Sequence, residues 1–271
     1  MSLTKVDFGV SWLLFNGNFF NTLFLPPSYI FINLIYKSPE FILFSYVIFI
    51  YFIMVNKNFF SSQFNFFWTK MSLILFILLF PIITFIFLPY RVYDGLRLFL
   101  YLMPYFNIIP GLAIYYLIYN FNSLMPKLLL GVIGSLFAYY LFIFIILTPY
   151  QYTYLNLFIG NFSNAHKKFE NDYWASSLNE LIKHSDFDKD KTLKFATCGI
   201  PLEYLKSYLK KKGYTNFIFS HPKQADYIIM INTVSNDVKN KSRCFSLRPG
   251  KDIVVVNRLG VKFSVLRKLE K

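Results

Sequence analysis

Charged residues are scarce. Asp, Glu, Lys and Arg make up 15% of the chain, against 55% apolar and 21% aromatic residues. That is too little polar surface for a wholly soluble globule of 271 residues and points to the membrane class. Histidine is scarcer still: His166, His184 and His221 show no metal-ligand spacing, so metal chemistry has no support. No arginine-glycine run, zinc-knuckle spacing or ribonucleoprotein signature occurs, which makes nucleic acid the weakest partner for a basic chain. No glycine-rich phosphate loop opens a predicted helix, so no nucleotide is expected, nor any other cofactor. The opening MSLTKVDFGVSWLLFNGNFF lacks a basic start, an unbroken apolar core and a small-residue cleavage site, and is not read as a signal peptide. The only two cysteines, Cys198 and Cys244, are expected to be buried free thiols; pairing is the alternative if their part of the chain faces an oxidising compartment.

What charge there is lies unevenly. Of 28 Lys and Arg residues, 21 lie from Tyr150 onward, as do 11 of the 14 Asp and Glu residues. The chain therefore has an apolar first part and a basic second part, and the basic surplus draws the latter toward phosphates on anionic lipids or on a phosphorylated substrate. A solvated basic surface near a membrane is the plainer reading.

Four stretches of the first part suit a helix crossing the bilayer core, which takes about 20 residues. They cover about 39–56, 71–89, 98–119 and 128–147. Ahead of the first, Ser38 can cap, Pro39 suits the first turn and Glu40 complements the positive end of the helix dipole. The third is broken by Pro104, Asn107, Pro110 and Gly111, which lipid tolerates only where neighbouring protein or water satisfies the freed backbone groups. It belongs inside a bundle. In the fourth, Gly134 and Ala138 are spaced for close helix packing. Residues 1–37 are aromatic but interrupted by Asn16, Gly17, Asn18, Asn21 and Pro26-Pro27, and read as an interfacial or external loop segment. Lys57, Lys70 and Lys127 fall on one membrane face and Lys37, Arg91 and Arg97 on the other, so charge alone does not orient the bundle.

From Tyr150 onward the pattern is that of a small α/β domain. A helix is expected from Asp172, as its cap, to His184, with Trp174, Leu178, Leu181 and Ile182 on its apolar face. Strands are expected at 194–198, 216–220 and 226–231, with a helix from Pro201 to Gly213 between the first two. Its early Glu203 and late Lys210, Lys211 and Lys212 agree with the helix dipole. DIVVVNRLGVKFSVL reads as a hairpin turning at Arg258-Leu259-Gly260. The expected architecture is an α-helical polytopic bundle over 38–149, with 1–37 before it and the α/β soluble domain, 150–271, after it.

The polar residues of interest gather at the membrane face shared by Ser38 and Tyr150. YRVYDGLRLF, 90–99, sets Arg91, Tyr93, Asp94 and Arg97 between two spans, and IYKSPE puts Lys37 at the same face. Cations near span ends commonly snorkel, and Asp94 can simply pair with an arginine. Alternatively, planar guanidiniums there hold a lipid-linked phosphate by bidentate contacts. In TPYQYTYLN the tyrosines Tyr150, Tyr152 and Tyr154 suit an interfacial belt, and Asp172-Tyr173-Trp174 can merely start a helix.

The ordered set PPSYIFINLIYKSPEFIL, YDGLRLFLYLMP, PYQYTYLN followed by Gly160, FENDYWASSLNE, ADYIIMIN and VNRLGVKFSVL resembles the C-terminal half of a bacterial polytopic glycosyltransferase of the GT-C superfamily. The nearest likeness is to the dolichyl-phosphate-mannose-protein mannosyltransferase-like group, related to the lipid A aminoarabinose transferases. The resemblance implies transfer of a sugar from a polyprenyl-phosphate donor to a cell-envelope acceptor, at the inner membrane. It implies that Lys37, Arg91 and Arg97 bind the donor phosphate on the periplasmic face, where the soluble domain also lies, with Lys57, Lys70 and Lys127 cytoplasmic. Tyr93, Asp94, Tyr150, Asn156, Asp172, Tyr173 and Trp174 then line the site or form the junction between membrane part and soluble domain. Relatives often carry His where Leu98 and Thr148 stand, and Gly where Ala175 stands. The family's catalytic acid, in a first external loop, has no match in this chain; Asp94 is the only candidate base, and a missing N-terminal half or a partner chain is the expected source of the acid. Two other classes compete: a non-catalytic membrane-anchored α/β domain that binds anionic lipid or an envelope partner, and a transporter, for which the broken third span speaks.

Overall fold

A computed structural model of the chain describes residues 12–88, 92, 95–160, 162–172, 174–188, 190–234, 243–246 and 249–270. Strands β1 (Trp12–Phe15) and β2 (Asn18–Asn21) come first, then helices α1 (Tyr29–Lys37), α2 (Glu40–Val55), α3 (Lys57–Gln63), α4 (Phe67–Phe87), α5 (Met103–Tyr119) and α6 (Leu124–Leu147). They are followed by α7 (Phe162–Ala165), α8 (Leu178–His184), β3 (Leu193–Cys198), α9 (Leu202–Lys211), β4 (Phe217–Phe219), β5 (Tyr227–Ile231), β6 (Gly250–Arg258) and β7 (Val261–Leu269). Two compact units result. A sheet unit takes the described residues of Met1–Thr22, Ile146–Tyr154 and Asn161–Lys271; a helical unit takes those of Leu23–Ile145 and Leu155–Gly160.

Among the described residues, three helical stretches are long and apolar enough to cross a membrane: Phe67–Phe87, Arg97–Tyr119 and Leu124–Leu147. The expected first span differs. Helix α2 has 16 residues, and α1 meets it at 107°, so the two make a fourth span only as one broken element. Ser38 does not cap α2 as expected; its Oγ donates back to Leu34 O and closes α1. The physical reason is the bend, which exposes the last carbonyls of α1 to be satisfied locally.

Helix α5, with its internal Pro110, does lie against neighbours, packing on α2 and α4. Tyr46 Oη donates to Phe106 O, and Asn56 Nδ2 to Tyr116 Oη at 3.5 Å, both across a sequence separation of 60. A constant offset means that α2 and α5 run parallel and begin at the same end of the unit. Phe52 stacks on Tyr116, and Phe49, Phe60, Phe67 and Leu117 complete an aromatic core there. The Gly134 notch of α6 is not used for packing: a Cβ built on Gly134 meets nothing within 4 Å.

The sheet unit begins with a segment expected to be interfacial. Asn16 and Gly17 have φ of 48° and 84°, the left-handed pair that a two-residue hairpin turn requires, so Trp12–Phe15 and Asn18–Asn21 pair as an antiparallel ribbon. Gly17 N–H donates to Lys168 O, and Phe15 meets Phe169 edge-on. The segment 1–37 is therefore not one element. The larger sheet has the order β4-β3-β5-β7-β6, with β3 parallel to β4 and β5, and β7 antiparallel to β5 and β6. Each expected strand is present within a residue or two, as are α9 and the hairpin turn. Phe195, Leu205, Leu209 and Ile229 are fully buried in its core.

Two expectations are corrected. Cys198 and Cys244 are not free thiols but a disulfide with a Cα–Cα distance of 5.5 Å, joining the end of β3 to the turn after β5. Burial is common to both states of a cysteine, so a core-residue argument cannot separate them. The helix expected from Asp172 begins only at Leu178. Ala175 has φ of +54°, which breaks a right-handed helix before it can form there.

Candidate functional site

The basic residues expected at the membrane face are brought together in part. Lys37 ends α1, and Arg97 opens the 3-10 turn Arg97–Leu102 that leads into α5. The Lys37 side chain lies across Gly95: a Cβ there would stand 3.1 Å from Lys37 Cε and closer still to Nζ, and 3.6 Å from Asn33 Oδ1. Gly95 N–H donates to Tyr29 Oη at 3.1 Å, and its φ of +65° suits glycine. Lysine and arginine thus flank one turn at the shared starting end of the two parallel helices. Arg97 is exposed and Lys37 half-buried. Arg91, Tyr93 and Asp94, also expected here, lie outside the described residues, as does Tyr173.

Below this end open recesses run between the helices. A cavity of about 280 Å³ is lined by Leu34, Ile35, Tyr46, Leu79, Phe106 and Ile109 among others. A second, of about 300 Å³, shares Tyr46, Leu75 and Ile109 with it and continues to Trp68 and Met71. The two form an apolar groove between α2, α4 and α5 that starts one helical turn from Lys37. Tyr46, which lines both, donates its Oη to Phe106 O, and Ser72 adds a second hydroxyl to the lower part.

Asn156 and Glu40 fill the elbow between α1 and α2. Asn156 is 1% and Glu40 4% exposed. The Asn156 Nδ2 group donates to Ile35 O at 2.6 Å and to Ser38 O at 2.9 Å, and Asn156 N–H donates to Tyr36 O at 2.9 Å. Asn156 Oδ1 accepts from Phe158 N–H, and Glu40 Oε1 from Leu157 N–H at 2.8 Å. Glu40 thus does more than complement a dipole. Partners 117 and 118 residues away leave no local sequence signal.

The remaining expected residues belong to the sheet unit. Asp172 is fully buried. Its Oδ1 accepts from Tyr152 Oη and from Ser176 N–H at 2.8 Å, and its Oδ2 from Ser177 Oγ and from Ser177 N–H at 3.1 Å. Burial pushes the Asp172 carboxyl up, and the bonds from Ser177, Tyr152 and Ser176 offset that only in part. Trp174 is not on a buried helix face; it is 44% exposed and stacks on Tyr152. Tyr150, 1% exposed, donates to Glu180 Oε2 at 2.6 Å, while Arg258 reaches both oxygens of Glu180 at 2.8 and 3.2 Å and lies over the Tyr150 ring. Burial pushes Glu180 up, but the bonds from Arg258 and Tyr150 and the Arg258 charge outweigh it, and the net direction is down. Burial and the Glu180 bond push Tyr150 up. Neither Glu180 nor Arg258 stood out in the sequence, because a pair 78 residues apart carries no pattern.

These two networks hold the polypeptide that follows α6; both carboxylates and both tyrosine hydroxyls in them are engaged by neighbours, which suits positioning better than chemistry. Among the described residues no group of three or more His, Cys, Asp or Glu is placed to hold a metal. Ala175, in the left-handed region beside Asp172, makes a direct prediction: Ala175→Gly relieves the Cβ penalty and is expected to raise stability by up to about 1 kcal/mol. An unchanged or lower thermal midpoint would show that Ala175 is not so placed.

Comparison of the chain with family models, with curated proteins and with solved structures finds no match.

Proposed function

We propose that the chain is a membrane glycosyltransferase, or the C-terminal part of one, that takes sugar from a polyprenyl-phosphate donor and passes it to a cell-envelope acceptor. The observation that carries this reading is the pairing of a basic turn with an apolar groove: Lys37 and Arg97 stand at the end from which the groove between α2, α4 and α5 begins. A phosphate with a long hydrocarbon chain needs that combination. Ala175 adds support, since its φ of +54° is the conformation that the glycine of the resembling family would favour. In this reading the sheet unit lies on the external face of an inner membrane, and the Cys198–Cys244 disulfide supports that, because such bonds persist in oxidising compartments. The phosphate leaves on its lipid as the acceptor oxygen bonds to the sugar, and the acceptor proton goes to a carboxylate base supplied by a missing N-terminal half or a partner chain.

The test uses the purified chain in nanodiscs, offered decaprenyl phosphate, uncharged decaprenol or phosphatidylglycerol. The reading expects retention of decaprenyl phosphate well above the other two. Equal retention of decaprenol removes the phosphate site, and equal, salt-sensitive retention of phosphatidylglycerol favours the anionic-lipid anchor instead.

A further inference from the structure

The last carbonyls of a helix need partners, and in a buried elbow water is not there to supply them. At the α1–α2 bend Ser38 Oγ serves Leu34 O, and one residue beyond the elbow serves the rest, by its side-chain amide at Ile35 O and Ser38 O and by its backbone N–H at Tyr36 O. Asn156 serves Ile35 O, Tyr36 O and Ser38 O, so it holds the backbone on both sides of Lys37. The segment that carries it, Leu155–Gly160, packs in the helical unit although its neighbours in sequence, on both sides, belong to the sheet unit. It is anchored a second time where Leu157 N–H meets Glu40, and it is stiffened by the 3-10 turn Leu157–Ile159, which Asn156 Oδ1 caps. A lysine on a flexible stem keeps one position only if its backbone is fixed. In the structure the Lys37 ammonium lies against Gly95, in the turn that leads to Arg97.

We infer that Asn156 is a positioning residue for Lys37: the strap Leu155–Gly160 aims the lysine at the Gly95–Arg97 turn and so completes the anion site. The inference rests on the proposed phosphate-lipid reading for its functional consequence, but not for its geometry. Glu40 is the strap's second anchor.

The experiment compares wild type with Asn156→Ser, which keeps an oxygen to cap the 157–159 turn but is too short to reach Ile35 O and Ser38 O. In nanodiscs its affinity for decaprenyl phosphate should fall about tenfold. In a Lys37→Ala background the same change should have no further effect, since one residue acts through the other. Without any lipid probe, acetylation of Lys37 by a water-soluble reagent, read by mass spectrometry, should speed up in Asn156→Ser while Lys57 and Lys127 keep their rates. Unchanged labelling of Lys37 overturns the inference whether or not the phosphate lipid binds. A loss of affinity that is equal with and without Lys37 overturns it as well. If wild type shows no decaprenyl phosphate binding at all, the functional reading falls, and the labelling still decides the placement. Should Asn156→Ser fail to insert, Glu40→Gln, which weakens the acceptor for Leu157 N–H, is read by the same two measurements.

Discussion

Asp172→Ala is expected to destabilise the sheet unit by about 3–5 kcal/mol, enough to lower its thermal midpoint by roughly 10–20 °C. Four donors converge on this one carboxylate: the hydroxyls of Tyr152 and Ser177 and the backbone N–H groups of Ser176 and Ser177. Alanine leaves buried donors without an acceptor, and each such loss costs about 1–3 kcal/mol. Against a total stability of about 5–15 kcal/mol for a domain, that is a large share. Asp172→Asn keeps one oxygen and turns an amide toward two of the donors, so it should fall between wild type and alanine. The pH dependence has a definite sign. A carboxyl whose folded pKa is raised contributes stability that is fully present below its unfolded pKa and is lost as pH rises through the folded value. The margin of wild type over Asp172→Asn should therefore widen as the solution is acidified from neutral. A margin that narrows on acidification would mean that the four hydrogen bonds, not burial, dominate at this site. Glu180, held down by Arg258, has the opposite sign, and is common to both proteins in that comparison.

Lys37→Ala and Arg97→Ala are each expected to weaken binding of a polyprenyl phosphate about 10–100-fold, while the chain still inserts with unchanged helical content. Hydrogen bonds to charged groups contribute about 1.5–3 kcal/mol each, which converts to that range. Lys57→Ala and Lys127→Ala are the matched controls. Lys57 opens α3 just beyond the end of α2, and Lys127 lies in the first turns of α6 after the end of α5, so both are at the other end of the parallel pair whose start carries Lys37 and Arg97. They should retain wild-type affinity. A uniform loss over all four would mean that net positive charge, not a built site, attracts the lipid.

Much of the sheet unit was legible in the residues. Short β-branched and aromatic runs marked β3, β5, β6 and β7, and α9 carried every terminal signal, from Pro201 through Glu203 to Gly213. The N-terminal hairpin carries a signal too, since Asn16-Gly17 between apolar runs is a strong short-range hairpin turn, but the same polar residues also fit the interruptions of an interfacial or external loop segment. Three features were not legible for physical reasons. The start of α8 is set by a left-handed Ala175, a conformation that alanine does not advertise. The disulfide depends on which strand ends the fold brings together and on the compartment. The elbow of α1 and α2 depends on Asn156, whose partners are far away in sequence. For the site, the basic residues between the apolar stretches were visible, whereas the parallel register of α2 and α5 that puts Lys37 and Arg97 at one end of both helices was not.

The most direct measurement is photocrosslinking of the chain in nanodiscs by a polyprenyl phosphate that carries a diazirine on the isoprene unit next to the phosphate, with adducts mapped by mass spectrometry. The account predicts adducts concentrated at Leu34–Lys37, at the Gly95–Arg97 turn and in the adjoining groove around Tyr46 and Phe106. Adducts spread over the exposed apolar residues of α4 and α6, such as Phe76, Phe87, Phe142 and Ile145, with none at those positions, would contradict it.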